Sequence, residues 1–400
     1  MSPNLHTAPL RRSILGAFAA VVPWLPAPGA HAAIISVDTK TTSGSKSAPP
    51  VVTHKLRLTG MLEPGDADRL REALMRLGPA TRTPSGRPTT TIELSSKGGD
   101  LSEGFQIGLA LKKFNVVAVV RKGDFCLSAC ALAFLGGAVG NVQSPSSQNC
   151  NLEIGGKVGF HNFSLKRSGL REVTADDPVA SRLQGFNDAR GGTAMLVGYA
   201  GEVGMSTKFI ASIVGRPVED YTYIATVGDF LSLRVCPIGL KRPTATLDVQ
   251  ARNVCSHSTG WLESKTPLEV IAIPAQQVRR RLLERLQANM QPFKAKGALA
   301  SQLASAAVMR VDEAVDQLYD DLRAAGVGLP NIVGPTFKVG RNHAGKFETA
   351  CYVSLSPNDP DRFDVALQGP KGLSHPLLSP PENSRRLFLF DREDVINPRP

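Results

Sequence analysis

The sequence predicts an α/β fold of crossover units, followed by a helical segment and a small β-containing module at the C-terminal end. Three observations predict it. Between residues 51 and 135, strand-like and helix-like stretches alternate, the order found where helices wrap a parallel sheet. Residues 116–120 (Val-Val-Ala-Val-Val) form an unbroken apolar run of the kind buried on both faces of such a sheet. Finally, 42% hydrophobic and 20% charged residues over 400 positions supply enough apolar surface for two or three packed domains and exclude wholesale disorder, collagen and coiled coil.

At the N-terminus, residues 1–32 read as a targeting peptide. Arg11-Arg12 supply a positive start, residues 14–25 an apolar stretch, and Ala30-His31-Ala32 a small-x-small cleavage site, so the mature, exported and periplasmic chain is expected to begin near Ala33. Pro23, Pro26 and Pro28 interrupt the apolar run before the roughly 20 residues a membrane-spanning helix requires, which makes a retained anchor the weaker alternative. Residues 33–50, rich in Ser, Thr, Lys and Pro from Thr39 onward, read as a linker.

Residues 51–240 read as the α/β domain. Residues 51–62 alternate as a strand, and Glu63-Pro64-Gly65-Asp66 turns it into a helix over 67–77, with Leu70, Leu74 and Leu77 on one face and Asp66 as the cap. Residues 89–94 are β-branched and strand-like. After Ser95-Ser96-Lys97-Gly98-Gly99-Asp100 a helix opens with Asp100 and Glu103 in a capping-box pattern. Beyond the 116–120 strand, Phe125-Cys126-Leu127-Ser128 leads into a short apolar helix over 129–135, ended by Gly136-Gly137. Residues 158–160 form a further strand ending at His161, residues 182–199 and 206–214 read as helices, and the domain closes around Leu240.

Residues 241–330 read as the helical segment. Val278, Leu282 and Leu286 recur at helical spacing and a second amphipathic run spans 299–322. Residues 331–400 read as the β-rich module, with short strands at 347–355, 363–367 and 387–390.

Lys and Arg number 46 against 35 Asp and Glu, a net charge of +11 that permits contact with an anionic membrane surface without requiring it. Arg279-Arg280-Arg281 is the densest basic block and reads as a solvated helix face. Only 6% of residues are aromatic and no stretch interleaves them with cations, so nucleic acid is not an expected partner. Export would expose Cys126, Cys130, Cys150, Cys236, Cys255 and Cys351 to an oxidising space. Cys236 and Cys255 bracket a short segment and are the favoured disulfide; Cys126, Cys130 and Cys150 crowd one region and are expected to supply another. No C-x-x-C and no His pair at helical spacing occurs, so neither metal nor organic cofactor is implied.

Nucleophilic hydrolysis needs a hydroxyl, a base to take its proton, a group that orients the base, and N–H donors aimed at the oxyanion. Ser128 stands between a strand and a helix start, with the Ala129 N–H directly after it. Gly98-Gly99 follows the preceding strand, where glycine lets backbone approach a substrate closely. His161 ends its own strand. Asp229, in Val227-Gly228-Asp229-Phe230-Leu231-Ser232, comes later and is the candidate that orients His161, with Asp220 as fallback.

These residues also carry a resemblance. Leu58-Thr59-Gly60, the run Ser96-Lys97-Gly98-Gly99-Asp100-Leu101-Ser102-Glu103-Gly104, Cys126-Leu127-Ser128-Ala129-Cys130-Ala131 and Gly159-Phe160-His161 resemble the Clp protease proteolytic subunit family. The likeness is closest to exported bacterial homologues whose serine is flanked by two cysteines, and it covers roughly residues 51–240. It implies a crotonase-like fold of stacked ββα units and a serine hydrolase, in particular a peptidase. Ser128 would be the nucleophile, His161 the general base, Asp229 the third member, and the N–H groups of Gly99 and Ala129 the oxyanion hole. Lys97 stands where the family has proline, Cys130 where it has glycine, His161 lacks the following Gln-Pro, and Asp229 lies one residue nearer the following Phe-Leu-Ser. Those departures bear on the groove and on the completeness of the triad. Peptide or protein is the expected substrate, and a monomer or a homo-oligomer smaller than the family's rings the expected assembly. The alternative is an inactive envelope protein that holds extended peptides or protein partners in the same groove.

Overall fold

The computed structural model describes residues 32–42, 50–78, 80–83, 86–141, 144–162, 178–217, 219–260, 268–288, 297–343, 346–369, 372–374 and 382–400. The expected targeting peptide up to residue 31 and residues 43–49 of the expected linker lie outside them.

The first half contains β1 (Ile34–Thr42), β2 (Val51–Thr59), α1 (Asp66–Leu77), β3 (Thr90–Ser95), α2 (Leu101–Lys113), β4 (Val117–Val120), β5 (Phe125–Leu127) and α3 (Ala129–Leu135). It continues through β6 (Ala138–Asn141), β7 (Ser144–Gln148), β8 (Cys150–Glu153), β9 (Lys157–Phe160), α4 (Pro178–Val203), α5 (Thr207–Val214), β10 (Thr222–Tyr223), α6 (Val227–Ser232) and β11 (Val235–Ile238). Strands β2, β3, β4, β8 and β11 pair in parallel in that order, and β5 pairs in parallel with β9 in a second sheet that β10 extends antiparallel. The chain is thus a mixed α/β protein with several sheets. Alternate residues of the first sheet, Leu56, Leu58, Ile92 and Leu94, pack on Leu70, Leu74, Ile107 and Leu111 of α1 and α2. The opposite face carries Glu93 paired with both Lys55 and Arg57.

Residues 34–42 were expected to be linker. They form β1 instead, paired antiparallel with β2 from Ile34↔Thr59 to Thr42↔Val51. Their side chains are mostly exposed, so no hydrophobic alternation announces the strand; its Ile, Val and Thr content and the open edge of β2 produce it.

Asp66 does not cap α1. Gly65 holds the cap position at φ 99°, and the Asp66 carboxylate turns inward to the N–H groups of Glu63 (2.8 Å) and Ala33 (3.1 Å). Asp100 does cap α2, accepting from Glu103 N–H (3.0 Å). Glu103 leaves the expected box open: its carboxylate accepts from Gly65 N–H (3.1 Å) and Ala67 N–H (2.7 Å) at the start of α1, where unpaired donors and the positive helix end attract an anion.

The second half contains α7 (Leu247–Thr259), β12 (Glu269–Ile273), α8 (Ala275–Ala288), α9 (Ala298–Ala304), a 3-10 turn (Val308–Arg310), α10 (Asp312–Ala324), β13 (Thr336–His343), β14 (Lys346–Leu355), β15 (Phe363–Gly369), β16 (Gly372–Ser374) and a 3-10 helix (Glu382–Leu389). Strands β12 to β16 make one antiparallel sheet. Cys351, Val353 and Leu355 of β14 face α7, while Ala350 and Tyr352 face α8 and α10, the two-residue alternation of a strand covered on both sides. The expected helix over 299–322 is broken where Ser305 turns extended. Residues 387–390, expected as a strand, lie in and just after a 3-10 helix. Leu387 packs into the first core and Phe388 and Leu389 into the second, a division that a strand's alternation does not provide.

The favoured Cys236–Cys255 disulfide is absent. Cys255 joins Cys351, tying α7 to β14, and Cys126 joins Cys130. Cys150 and Cys236 are buried thiols in neighbouring strands β8 and β11. Cys255 lies on the face of α7 that packs on the C-terminal sheet, which directs it to Cys351. The last residues return to the first half: Val395 pairs with Thr226, and the buried Asn397 side chain accepts from Gly155 N–H (2.9 Å) and donates to the carbonyls of Gly156 (3.0 Å) and Ile224 (3.1 Å). Among the described residues no helix is long and apolar enough to cross a membrane.

Candidate active site

Two adjacent parallel strands build the site. β5 pairs with β9 in register Leu127↔Gly159, so the residues that leave them, Ser128 and His161, emerge at the same end. Ser128 Oγ and His161 Nε2 are 2.7 Å apart. Ser128 N–H donates to Gly159 O (2.8 Å), and Ser128 O accepts from Ala131 N–H (2.9 Å) as α3 begins. Between those two bonds the chain turns sharply: Ser128 has φ 55° and ψ −124°, a conformation that side chains rarely adopt. The Cys126–Cys130 disulfide spans this turn from β5 to α3.

Gly98 and Gly99 fit against it. A Cβ on Gly98 (φ +100°) would lie 2.7 Å from the Ser128 Cβ, and one on Gly99 (φ +140°) would lie 2.1 Å from Leu62 O. Leu62 bonds to Gly98 O (2.8 Å) and Asp100 N–H (2.8 Å), which in a parallel ladder turns the amide of Gly99 to the opposite side, the side on which Ser96 pairs with β5. Buried Ser96 braces the loop, its hydroxyl accepting from Gly98 N–H (3.1 Å). Ala129 is the first residue of α3, where helix geometry gives its N–H no intrahelical acceptor. The elements therefore bring together Ser128, His161, Gly98-Gly99 and Ala129.

Asp229 is taken elsewhere. β10 runs antiparallel to β9 with Thr222↔Phe160 and Tyr223↔Gly159, so the chain moving on toward Asp229 travels back along β9, away from His161. At the far end, Asp229 closes the capping box of α6, its carboxylate accepting from Thr226 N–H (2.9 Å) and Ala225 N–H (3.1 Å). That is a correction to the expected third member of the triad. The fallback Asp220 lies on the exposed turn leading into Tyr221.

Three neighbours of the site carry no clear signal in the sequence. The Tyr221 ring packs on the His161 ring at 4.7 Å, and burial, with Tyr223 adding, raises the Tyr221 hydroxyl above its ordinary pKa. Asn162 donates to Val214 O (3.1 Å) and Arg216 O (3.1 Å), tying the end of α5 to the residue after His161. Ser96 was visible only as a hydroxyl two residues before Gly98. No periodicity or motif marked the other two.

The cavity at Ser128 and His161 measures only about 10 Å³, lined by Leu101, Leu132, Phe160, Leu196 of α4 and Ile213 of α5. Larger spaces lie elsewhere: about 430 Å³ between α8 and the C-terminal sheet, and about 800 Å³ beside Gly136, Cys236 and Phe388. Size favours those two; the chemistry favours the small one, because Ser128 and His161 meet there. Among the described residues no group of three or more His, Cys, Asp or Glu is placed to hold a metal ion.

No protein-family model and no curated protein sequence matches the chain. Among solved structures it is similar to a ClpP1 mutant from Listeria monocytogenes, at 12% identity and a TM-score of 0.29, over 46% of this chain and 90% of that one. No residue role follows from a superposition so loose.

Proposed function

We propose that the chain is an exported serine hydrolase that cleaves peptide or protein substrates through an acyl-enzyme on Ser128. The observation that carries this reading is the 2.7 Å contact between Ser128 Oγ and His161 Nε2. In this reading the hydroxyl oxygen attacks a carbonyl carbon while its proton passes to His161, and the N–H groups of Gly99 and Ala129 hold the developing oxyanion. Collapse breaks the bond to the leaving amine, which takes the proton from His161. Water then attacks the acyl-enzyme with His161 again as base, and Ser128 is regenerated.

The conformation of Ser128 supports this reading, because a serine used only to start a helix has no need of a backbone costing about 1–3 kcal/mol. The crotonase-like arrangement of ββα units belongs to the same proposal and is supported by the Ser96↔Cys126 link between the two sheets. Two disulfides agree with an oxidising destination. The alternative, an inactive envelope protein that binds peptides, is favoured by the small size of the site: a space of about 10 Å³ is at the limit for one water.

A serine-directed fluorophosphonate separates the two. Wild type is expected to label at Ser128, Ser128→Ala not at all, and His161→Ala at least ~100-fold more slowly. An unreactive wild type, or a His161→Ala variant that labels at the wild-type rate, would overturn the proposal.

A further inference from the structure

Asp66 is fully buried, yet none of its hydrogen bonds serves the reaction just described. Its carboxylate accepts from Ala33 N–H (3.1 Å) and Glu63 N–H (2.8 Å) and pairs with Arg69. Arg69 in turn donates to Ala33 O (2.8 Å). Charged side chains thus grip both ends of one residue's backbone, and that residue, Ala33, is itself fully buried in the first core. Ala33 is also the residue that follows Ala30-His31-Ala32.

We infer that Asp66 is the receptor for the α-ammonium group of Ala33, freed when the Ala32–Ala33 peptide bond is hydrolysed. The inference rests on the reading of the leader as a cleaved export signal. Water adds across the bond, leaving a carboxylate on Ala32 and an amine on Ala33 that takes up a proton at neutral pH. The nitrogen already lies 3.1 Å from Asp66 Oδ2, so the product needs no new geometry. One amide donor becomes a cation with three donors, and the hydrogen bond becomes an ion pair shielded from solvent. The order of events follows from burial. In the folded chain Ala32 is paired with Met61 and Ala33 is covered, so cleavage precedes folding, as it does for a chain processed during translocation.

The pair would act on the candidate site as a brace. Glu63, held by Asp66, adjoins Leu62, whose N–H and carbonyl hold Gly98 and Asp100 on either side of Gly99. Asp66 is then a positioning residue for the Gly99 amide, and removal of the leader completes the support beneath it.

The test begins with the full chain, exported with its own leader from a bacterial host, and the intact mass of the product. A mass corresponding to residues 33–400 is expected; a chain beginning elsewhere overturns the leader reading and the inference together. On the chain that begins at Ala33, acylation of the α-amine is expected to be at least ~10-fold slower in the native than in the unfolded protein. Equal rates would overturn the ion pair while leaving the cleavage intact. Asp66→Asn should remove the protection. Because that variant also loses the Arg69 partner, a second protein keeps every side chain and adds one glycine before Ala33. Its melting temperature is expected to fall by at least about 2 °C, and its fluorophosphonate labelling to slow while Ser128 and His161 are unchanged. Wild-type stability and labelling in the glycine-extended chain would refute the brace.

Discussion

Ser128 Oγ and His161 Nε2 stand 2.7 Å apart across thirty-three positions of chain because each is the first residue past the end of one of two neighbouring parallel strands. The ladder between β5 and β9 fixes both backbones before either side chain chooses a rotamer, so the contact depends on strand register more than on any loop.

The turn at Ser128 carries backbone strain because the residue there has a side chain. Ser128→Gly is expected to be more stable than Ser128→Ala by about 1–2 kcal/mol, since glycine occupies φ 55° and ψ −124° freely, while neither variant reacts with a fluorophosphonate. Equal denaturation midpoints would mean the strain is absent.

Asp229→Ala removes a capping-box carboxylate and is expected to cost about 1 kcal/mol of stability, with the labelling rate of Ser128 changed by no more than a few-fold. A loss on the order of 10⁴ in that rate would instead return Asp229 to a place behind His161.

The two disulfides should separate by loop length. Cys255–Cys351 closes a sequence separation of 96 and Cys126–Cys130 one of 4. Chain-entropy arithmetic then gives about 5 kcal/mol for the first and about 2 kcal/mol for the second. Denaturant melts of the Cys255→Ala/Cys351→Ala and Cys126→Ala/Cys130→Ala pairs check this order. The shorter one spans the turn at Ser128, so its loss should slow labelling out of proportion to its effect on stability.

Gly99→Ala forces a Cβ to within 2.1 Å of Leu62 O at a φ of +140°. It should destabilise by roughly 2–4 kcal/mol and suppress labelling, whereas Gly239→Ala, at φ +78° with open space around it, should cost about 1 kcal/mol and leave labelling unaffected.

Glu93 contributes to stability on the acid side. Burial acts to raise its pKa, but hydrogen bonds from Lys55 and Arg121 prevail and hold the carboxyl below its ordinary 4.5. A carboxyl lowered by folding contributes stability that is complete above the unfolded value and is lost as pH falls through the folded one. Glu93→Gln should therefore lower the melting temperature at pH 7, where it leaves Lys55, Arg57 and Arg121 without their shared anion, and flatten the decline below about pH 4.5. A variant that keeps the wild-type acid profile would exclude this role.

Much of the fold was legible because its signals are local. The apolar run of β4, the Asp100 cap of α2 and the glycines ending α3 act within a turn or a strand of themselves, and the structure has each where the sequence places it. β1 was not legible: its side chains are exposed, and only the free edge of β2 makes it a strand. Residues 387–390 misled for a related reason, since consecutive apolar residues there serve two different cores.

For the site, the sequence by itself determined the kinds of group available: a hydroxyl at a strand-to-helix turn, an imidazole at a strand end, and two glycines that admit close backbone approach. Only the tertiary structure decided which of them meet. Strand order and direction set β9 beside β5 and joined Ser128 to His161, while the antiparallel return of β10 carried Asp229 to the cap of α6 and the packing of α7 on β14 gave Cys255 to Cys351 instead of Cys236. Pairing between distant segments depends on which edges and faces lie open once the others are filled, a property of the assembled chain that no window of residues contains.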